Sequence, residues 1–204
     1  WNLIVGGKPV TSIIPFLVIG FELTILLGAG GTLVALLLFV LTGAAGTAAA
    51  RGVYQEPDDF LSEAFAGRTP PARALWITPG LREEVAGILG HPPDAMRIRY
   101  WADGGRTAWI VEEIGKEKPI TTGIVVNGGS IERVKVLIFR ESRGWEVRHD
   151  FFTKQFDGAT LNGHRELDRP IDGISGATMS VSAVTRLARM VLLLDRTLAA
   201  DEPR

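Results

Sequence analysis

From Pro9 to Ala50 the chain carries a single ionisable side chain, Glu22. No soluble helix needs so long an apolar run, whereas about 20 residues suffice to cross the hydrocarbon core of a bilayer. The stretch "IIPFLVIGFELTILLGAGGTLVALLLFVLTGAAGTAAA" therefore predicts one long, tilted transmembrane helix, with Gly28–Gly31 as the natural break between two pieces. Two full crossings would need more length than either piece supplies. The second piece, "LVALLLFVLTGAAGTAAA", also has the form of a signal-peptide core followed by small residues at Ala48–Ala50. A signal peptide opens on a short basic stretch, and a long apolar segment stands there instead, so an uncleaved anchor is the better reading. Export follows on both. A carboxylate inside a span is costly and turns toward protein, water or a partner charge. Glu22 is accordingly read as a buried contact with another subunit, with snorkelling to the interface as the alternative. Starting at Trp1 rather than Met, the chain reads as a fragment, or as one whose true start is missing.

Beyond Ala50 the composition changes to an ordinary soluble mixture, so residues 1–50 are expected to be a membrane anchor and residues 51–204 an exported domain. The formal net charge of −1 gives no footprint for nucleic acid. There is no cysteine. A c-type haem attachment, an iron–sulfur cluster, a thiolate zinc site and a disulfide are thereby all excluded. The histidines, His91, His149 and His164, are scattered without metal-ligand spacing, so no metal site is expected. If the protein moves electrons, an organic cofactor must carry them.

The exported part reads as α+β. A short helix is expected from Pro57 to Ala66, and "TPGLREEVAGILG" predicts a second, with Thr78 as N-cap, Pro79 at its first position and Gly90 as terminator. Leu81, Val85 and Leu89 share its apolar face. Three or four strands follow: "MRIRYWA" turns at Asp103–Gly105 into "TAWIVEE", and "PITTGIVVN" turns at Asn127–Gly129 into "SIERVKVLIFR". Such local hairpins predict an antiparallel sheet with flanking helices. Adjacent on a strand, Glu112 and Glu113 face opposite sides and cannot act as a catalytic pair. After an irregular stretch from Trp145, helical spacing resumes over Ser180–Leu194, with Val184, Leu187, Val191 and Leu194 on one face and Arg186 and Arg189 mainly away from it.

The irregular stretch ends in "DGISGATMS", Asp172–Ser180. Gly176 permits positive φ and close approach of a ligand. Ser175 and Thr178 place hydroxyls at the mouth of the last helix, where unpaired N–H groups favour an anion. On the residues alone this is a helix N-terminus able to hold a phosphate, or an ordinary cap. Ser175 has no evident His/Asp partner, which argues against a serine hydrolase.

The same string resembles the flavinylation motif Asp-x-x-Ser/Thr-Gly-Ala-Thr/Ser of the FMN-binding domain in RnfG- and NqrC-like respiratory subunits. The resemblance implies FMN esterified through its phosphate to Thr178, with Asp172, Ser175, Gly176, Ala177 and Ser180 around it. It further implies a flavin transferase of the ApbE type as maturation partner. It extends more loosely over about residues 95–195, where the family's Glu-Thr-Pro-Gly turn is replaced by Glu141–Ser142–Arg143–Gly144. Trp145, Phe151, Phe152 and Phe156 are candidates to pack near the flavin ring, each with a core role as the alternative. Lys154, Arg143 and Arg169 could neutralise phosphate or reduced flavin, or be solvated charges. Separately, residues 1–27 resemble the membrane-entry segment of the ActD-type subunit of alternative complex III, through Gly6, Gly7, Lys8, Pro9, Phe21, Glu22, Leu23 and Thr24.

Together these readings predict a single-pass flavoprotein subunit of a bacterial inner membrane, its domain on the periplasmic side. It would relay electrons between other membrane redox subunits through FMN, without catalytic residues of its own. The rival readings are a structural membrane subunit of a quinol-oxidising complex that holds no flavin, and a flavin-dependent sensor or reductase acting alone.

Overall fold

The computed structural model describes residues 4–5, 8–9 and 52–201. The chain divides into two compact units, Trp1–Ala50 and Arg51–Arg204. In the first, β1 (Ile4–Val5) and β2 (Lys8–Pro9) pair antiparallel, Ile4 opposite Pro9 and Val5 opposite Lys8. The apolar run expected to cross a membrane and Glu22 lie outside the described residues. Among the described residues no helix is long and apolar enough to cross a membrane.

The second unit is α+β, as its hairpin spacing predicts. Its elements are α1 (Pro57–Ala64), β3 (Arg73–Trp76), α2 (Pro79–Leu89), β4 (Arg97–Asp103), β5 (Arg106–Ile114), β6 (Pro119–Asn127) and β7 (Ser130–Phe139). After a 3₁₀ turn at Trp145–Arg148 come α3 (Asp150–Thr153), a second 3₁₀ turn at Lys154–Phe156, and α4 (Thr178–Asp201). The strands form one five-stranded antiparallel sheet in chain order, β3-β4-β5-β6-β7. Two of the hairpins close on paired glycines with positive φ, Gly104 and Gly105 at 56° and 83° and Gly128 and Gly129 at 58° and 80°. That is the geometry a two-residue type I′ turn demands.

Helix α2 has the predicted caps: Thr78 Oγ1 accepts from Leu81 N–H at 3.4 Å, and Gly90 closes it at φ 85°. Helix α1 stops at Ala64, two residues short of expectation, because the chain turns left-handed at Ala66 and Gly67. Helix α4 is longer than its periodicity suggests, starting at Thr178 and reaching Asp201. Strand β3 is an addition, since "RALW" buries only Leu75 and offers little alternation to read.

The sheet separates two apolar layers. On one face α2 and α4 cover Trp109, Ile120, Ile124 and Val134, burying Leu187, Val191 and Leu194 of α4. On the other, α1 places Phe60 and Leu61 over Ala108, Val125 and Leu137. The Phe60 ring lies where a side chain on Gly123 would be, with its atoms 2.7 Å from an ideal Cβ there. Glu112 and Glu113 take opposite faces as alternation requires, the first exposed and the second buried under α4.

One acid sits inside α4. Thr107 Oγ1 donates to Asp195 Oδ1 at 2.6 Å, and Trp109 Nε1 donates to Thr107 Oγ1 at 2.9 Å. Burial pushes the Asp195 carboxyl above its ordinary range, and the Thr107 bond only partly opposes this. A raised folded pKa means the associated stability is complete below the unfolded value and is lost as pH rises through the folded one. Asp195→Asn keeps the acceptor and removes the charge. It is expected to raise Tm at pH 7 by about 3 °C. The gain should vanish near pH 3, where the unfolded acid (pKa about 3.9) is also neutral. Thermal unfolding of both proteins at the two pH values checks this.

Candidate cofactor site at the mouth of α4

Helix α4 begins out of a tight turn. Ala177 N–H donates to Ile174 C=O at 3.0 Å, and Gly176 sits at φ 83°. This is the type II arrangement, whose third position needs a positive φ. Ile174 is half-buried against the core, and Ala177 is buried. Ala177 thereby holds the N-cap position, its C=O taking the first helical bond from Val181 N–H at 2.9 Å. Alanine is a poor N-cap because it has no side-chain oxygen to accept from the first turn. Among the described residues nothing accepts from the N–H groups of Thr178, Met179 or Ser180. The 24-residue helix therefore ends in unpaired donors carrying its partial positive charge.

The motif residues divide at this mouth. Thr178, the first helical residue, is exposed, as are Asp172, Ser175 and Gly176. Asp172 N–H donates to Gln155 Oε1 at 2.7 Å, which ties the motif strand to the 3₁₀ turn before it. Ser180 is buried and points inward. It meets Gly144, where an ideal Cβ would lie 2.7 Å from Ser180 Oγ and 3.4 Å from Ala177. Gly144 also stands at φ 84°, so both backbone conformation and space require glycine. Gly144→Ala is expected to cost about 2 kcal/mol from strain and overlap. Gly158→Ala, at φ 75° with its nearest neighbour 3.9 Å from a Cβ, should cost clearly less. Urea unfolding midpoints of the two variants test the difference.

The loop that delivers Gly144 is held by Glu141. Its Oε1 accepts from the N–H groups of Lys116, Glu117 and Lys118 at 2.5, 2.7 and 3.0 Å. Desolvation would raise the pKa of this carboxyl, but the three backbone donors and the Lys116 charge outweigh it and hold it below the usual range. The missing Thr-Pro of the family turn thus leaves both ends of the loop, Glu141 and Gly144, structurally committed.

Next to Gly144, the exposed faces are aromatic. Trp145 is 43% and Phe151 61% exposed. His149 lies between them, 5.4 Å edge-on from Trp145 and 6.0 Å from Phe151 in a stack. Phe152 and Phe156 are fully buried core residues, in edge contact at 5.4 Å. Trp145 also borders an open cavity of about 720 Å³ lined by Tyr54, Lys118, Phe139 and Arg140. The Arg148 guanidinium lies 4.2 Å over Tyr54 and 4.9 Å from the Trp145 ring centre. Of the cations singled out in the sequence, Lys154 pairs with Asp150 at 3.4 Å. Arg169 pairs with Asp168 and donates to the carbonyls of Asp157 and Gly158. Arg143 is exposed and makes no ion pair among the described residues. Tyr54, Arg148 and Gln155 carry no sequence signal for this site, since the fold brings them from separate segments. His91, His149 and His164 form no metal-binding group among the described residues.

Comparison with known families bears directly on this helix mouth. Residues 115–192 match the FMN-binding domain. That match begins at the β5–β6 turn and includes both Glu141–Gly144 and the motif, leaving α1, β3, α2, β4 and β5 outside it. Residues 1–61 match the family of the ActD subunit of alternative complex III, well past the 27 residues that carry the resemblance in the sequence and into α1. No curated protein and no solved structure matches the chain. The FMN-binding-domain match fits the site chemically: an uncapped helix end suits a phosphate, Thr178 offers an exposed hydroxyl beside it, and the exposed Trp145 follows Gly144, which packs on Ala177 and Ser180.

Proposed function

We propose that residues 51–204 carry FMN as a phosphoester on Thr178 and act as an electron-relaying subunit of a respiratory membrane complex. The observation that carries this is the uncapped N-terminus of α4, with an exposed threonine as its first residue and alanine where a capping side chain would stand. When bound, the flavin supplies one- and two-electron chemistry that no side chain of this cysteine-free chain can supply. The N–H groups of Thr178, Met179 and Ser180 would hold the phosphate oxygens, and Asp172, Ser175 and Gly176 would shape the turn around them. Trp145 and Phe151 would offer flat surfaces to the ring, with the Arg148 guanidinium beside the first of them. The ActD match over residues 1–61 supports membrane attachment beside other redox subunits, with the domain exported to the periplasmic side of a bacterial inner membrane. A flavin transferase of the ApbE type would attach the cofactor.

The decisive measurement is ultraviolet fluorescence of the chain on a denaturing gel, with intact mass. A covalent flavin survives denaturation and adds one FMN less water. A dark band at the unmodified mass rejects the proposal. That result would favour the reading prompted by the ActD match, a structural membrane subunit whose FMN-like domain holds no flavin.

A further inference from the structure

The ladder between β4 and β5 ends early. Cα partners run from Asp103 opposite Arg106 to Tyr100 opposite Trp109, yet β4 begins at Arg97 and β5 continues to Ile114. The start of β4 stays with β3, Arg97 opposite Trp76. The end of β5 stays with β6, Ile114 opposite Pro119. The two strands fork, and a cavity of about 500 Å³ lies in the fork.

Antiparallel ladders alternate hydrogen-bonded and non-bonded pairs. The two-residue turn makes Asp103 and Arg106 a bonded pair, and Trp101 with Ala108 the next. On that parity the backbone N–H and C=O groups of Arg97 and Arg99 point into the fork from one side. Those of Ile110, Glu112 and Ile114 point in from the other. All five residues line the cavity. Two open strand edges facing one gap make a template for an added strand.

Side chains indicate what kind of strand fits. Arg97 and Arg99 share a sheet face with Trp101, are exposed, and make no ion pair among the described residues. The acid on that face of β5, Glu112, is already held by Thr121 Oγ1 at 2.5 Å and Arg140 at 3.4 Å. Asp94, the remaining acid at the cavity, belongs to the loop before β4. The opposite side is walled by Leu89, Ile98, Val111 and Met190, and its carboxylate, Glu113, is taken by Arg186 and His91. At the mouth of the fork Ile114 is 57% exposed, and Met96, just before β4, is 56% exposed.

We propose that the fork is a docking slot for an extended segment of a partner protein, bound by strand addition and alternating acidic with apolar residues. Its acids meet Arg97 and Arg99, and its apolar residues enter the layer under α4. The slot is separate from the mouth of α4 and does not depend on a bound flavin.

The test uses the full chain in detergent micelles with the acetylated hexapeptide amide Glu-Val-Glu-Val-Glu-Val as probe. Residue-resolved hydrogen exchange should slow at Arg97, Arg99, Glu112 and Ile114 on addition of the peptide. A double variant, Arg97→Glu with Arg99→Glu, should weaken binding at least tenfold, and so should N-methylation of alternate peptide nitrogens. No slowing at millimolar peptide overturns the proposal, as does equal binding of the Lys-Val counterpart. Amides of the fork that already exchange as slowly in the free chain as those at Ala108 and Trp101 would show the slot filled by the chain itself. Protection that rises with protein concentration alone would assign it to a second copy. Either outcome also overturns the proposal.

Discussion

A Thr178→Ala chain is expected to show no flavin fluorescence on a denaturing gel and to have the mass of the bare polypeptide. The effect should be all or none, because a phosphoester needs a hydroxyl and alanine has none. Folding should change little: Thr178 is exposed at the first position of α4, where alanine is a good helix former, so the stability change should stay within about 0.5 kcal/mol. Thr178→Ser keeps the hydroxyl and should keep the flavin. Ser175→Ala should retain it as well, since Ser175 lies in the turn before the helix rather than on its first residue. Retention of fluorescence by Thr178→Ala would move the attachment elsewhere, with the exposed Ser175 the next residue to examine.

The second large effect is expected at Glu113. This carboxylate is buried, takes Arg186 at 2.9 Å, and accepts from His91 Nε2 at 3.2 Å. His91 Nδ1 faces the Pro92 carbonyl at 3.0 Å, so both ring nitrogens meet acceptors. The Pro92 carbonyl first, and Glu113 second, hold the imidazole pKa above its ordinary value. Glu113→Ala leaves the Arg186 charge half-buried between α4 and the sheet with no carboxylate opposite, and losing one partner of a buried pair costs about 3–5 kcal/mol. The urea midpoint should fall accordingly, and adding Arg186→Ala should recover part of the loss. If the single and double variants unfold alike, the unpaired Arg186 charge carries no cost and the explanation by a stranded charge fails. Arg186 lies eight residues along α4 from Thr178, about 12 Å of helix rise. The ion pair therefore fixes the register in which the helix presents its first turn.

What could be read from the sequence was local. Gly104–Gly105 and Gly128–Gly129 announce hairpins because only glycine adopts both φ values cheaply, and Thr78, Pro79 and Gly90 bound α2 by chemistry within one turn of each end. The mouth of α4 was legible for the same reason, since Gly176 and Ala177 act on their immediate neighbours. Strand β3 was not, because its pairing with β4 is set across an intervening helix. Nor was the inward turn of Arg186, which its place on the helix put mainly away from the apolar face. Gly144 could be noticed as a motif residue, but its contact with Ser180 bridges 36 positions, and no pattern of spacing encodes it. Tyr54 and Arg148 meet only in the folded domain.

The strictly sequential order of the sheet has a consequence for when the site comes into being. Each of the hairpins β4–β5, β5–β6 and β6–β7 closes between neighbours in the chain, the kind of contact that forms early and cheaply. Helix α4 is the last of the described elements, and its mouth is complete only when Ser180 settles beneath Gly144, after the sheet exists to receive it. An enzyme that attached a cofactor at Thr178 would find the finished acceptor only once the whole domain had been made and, if exported, carried across the membrane. Loading would then report that folding had been completed, so an undocked α4 would leave the chain bare.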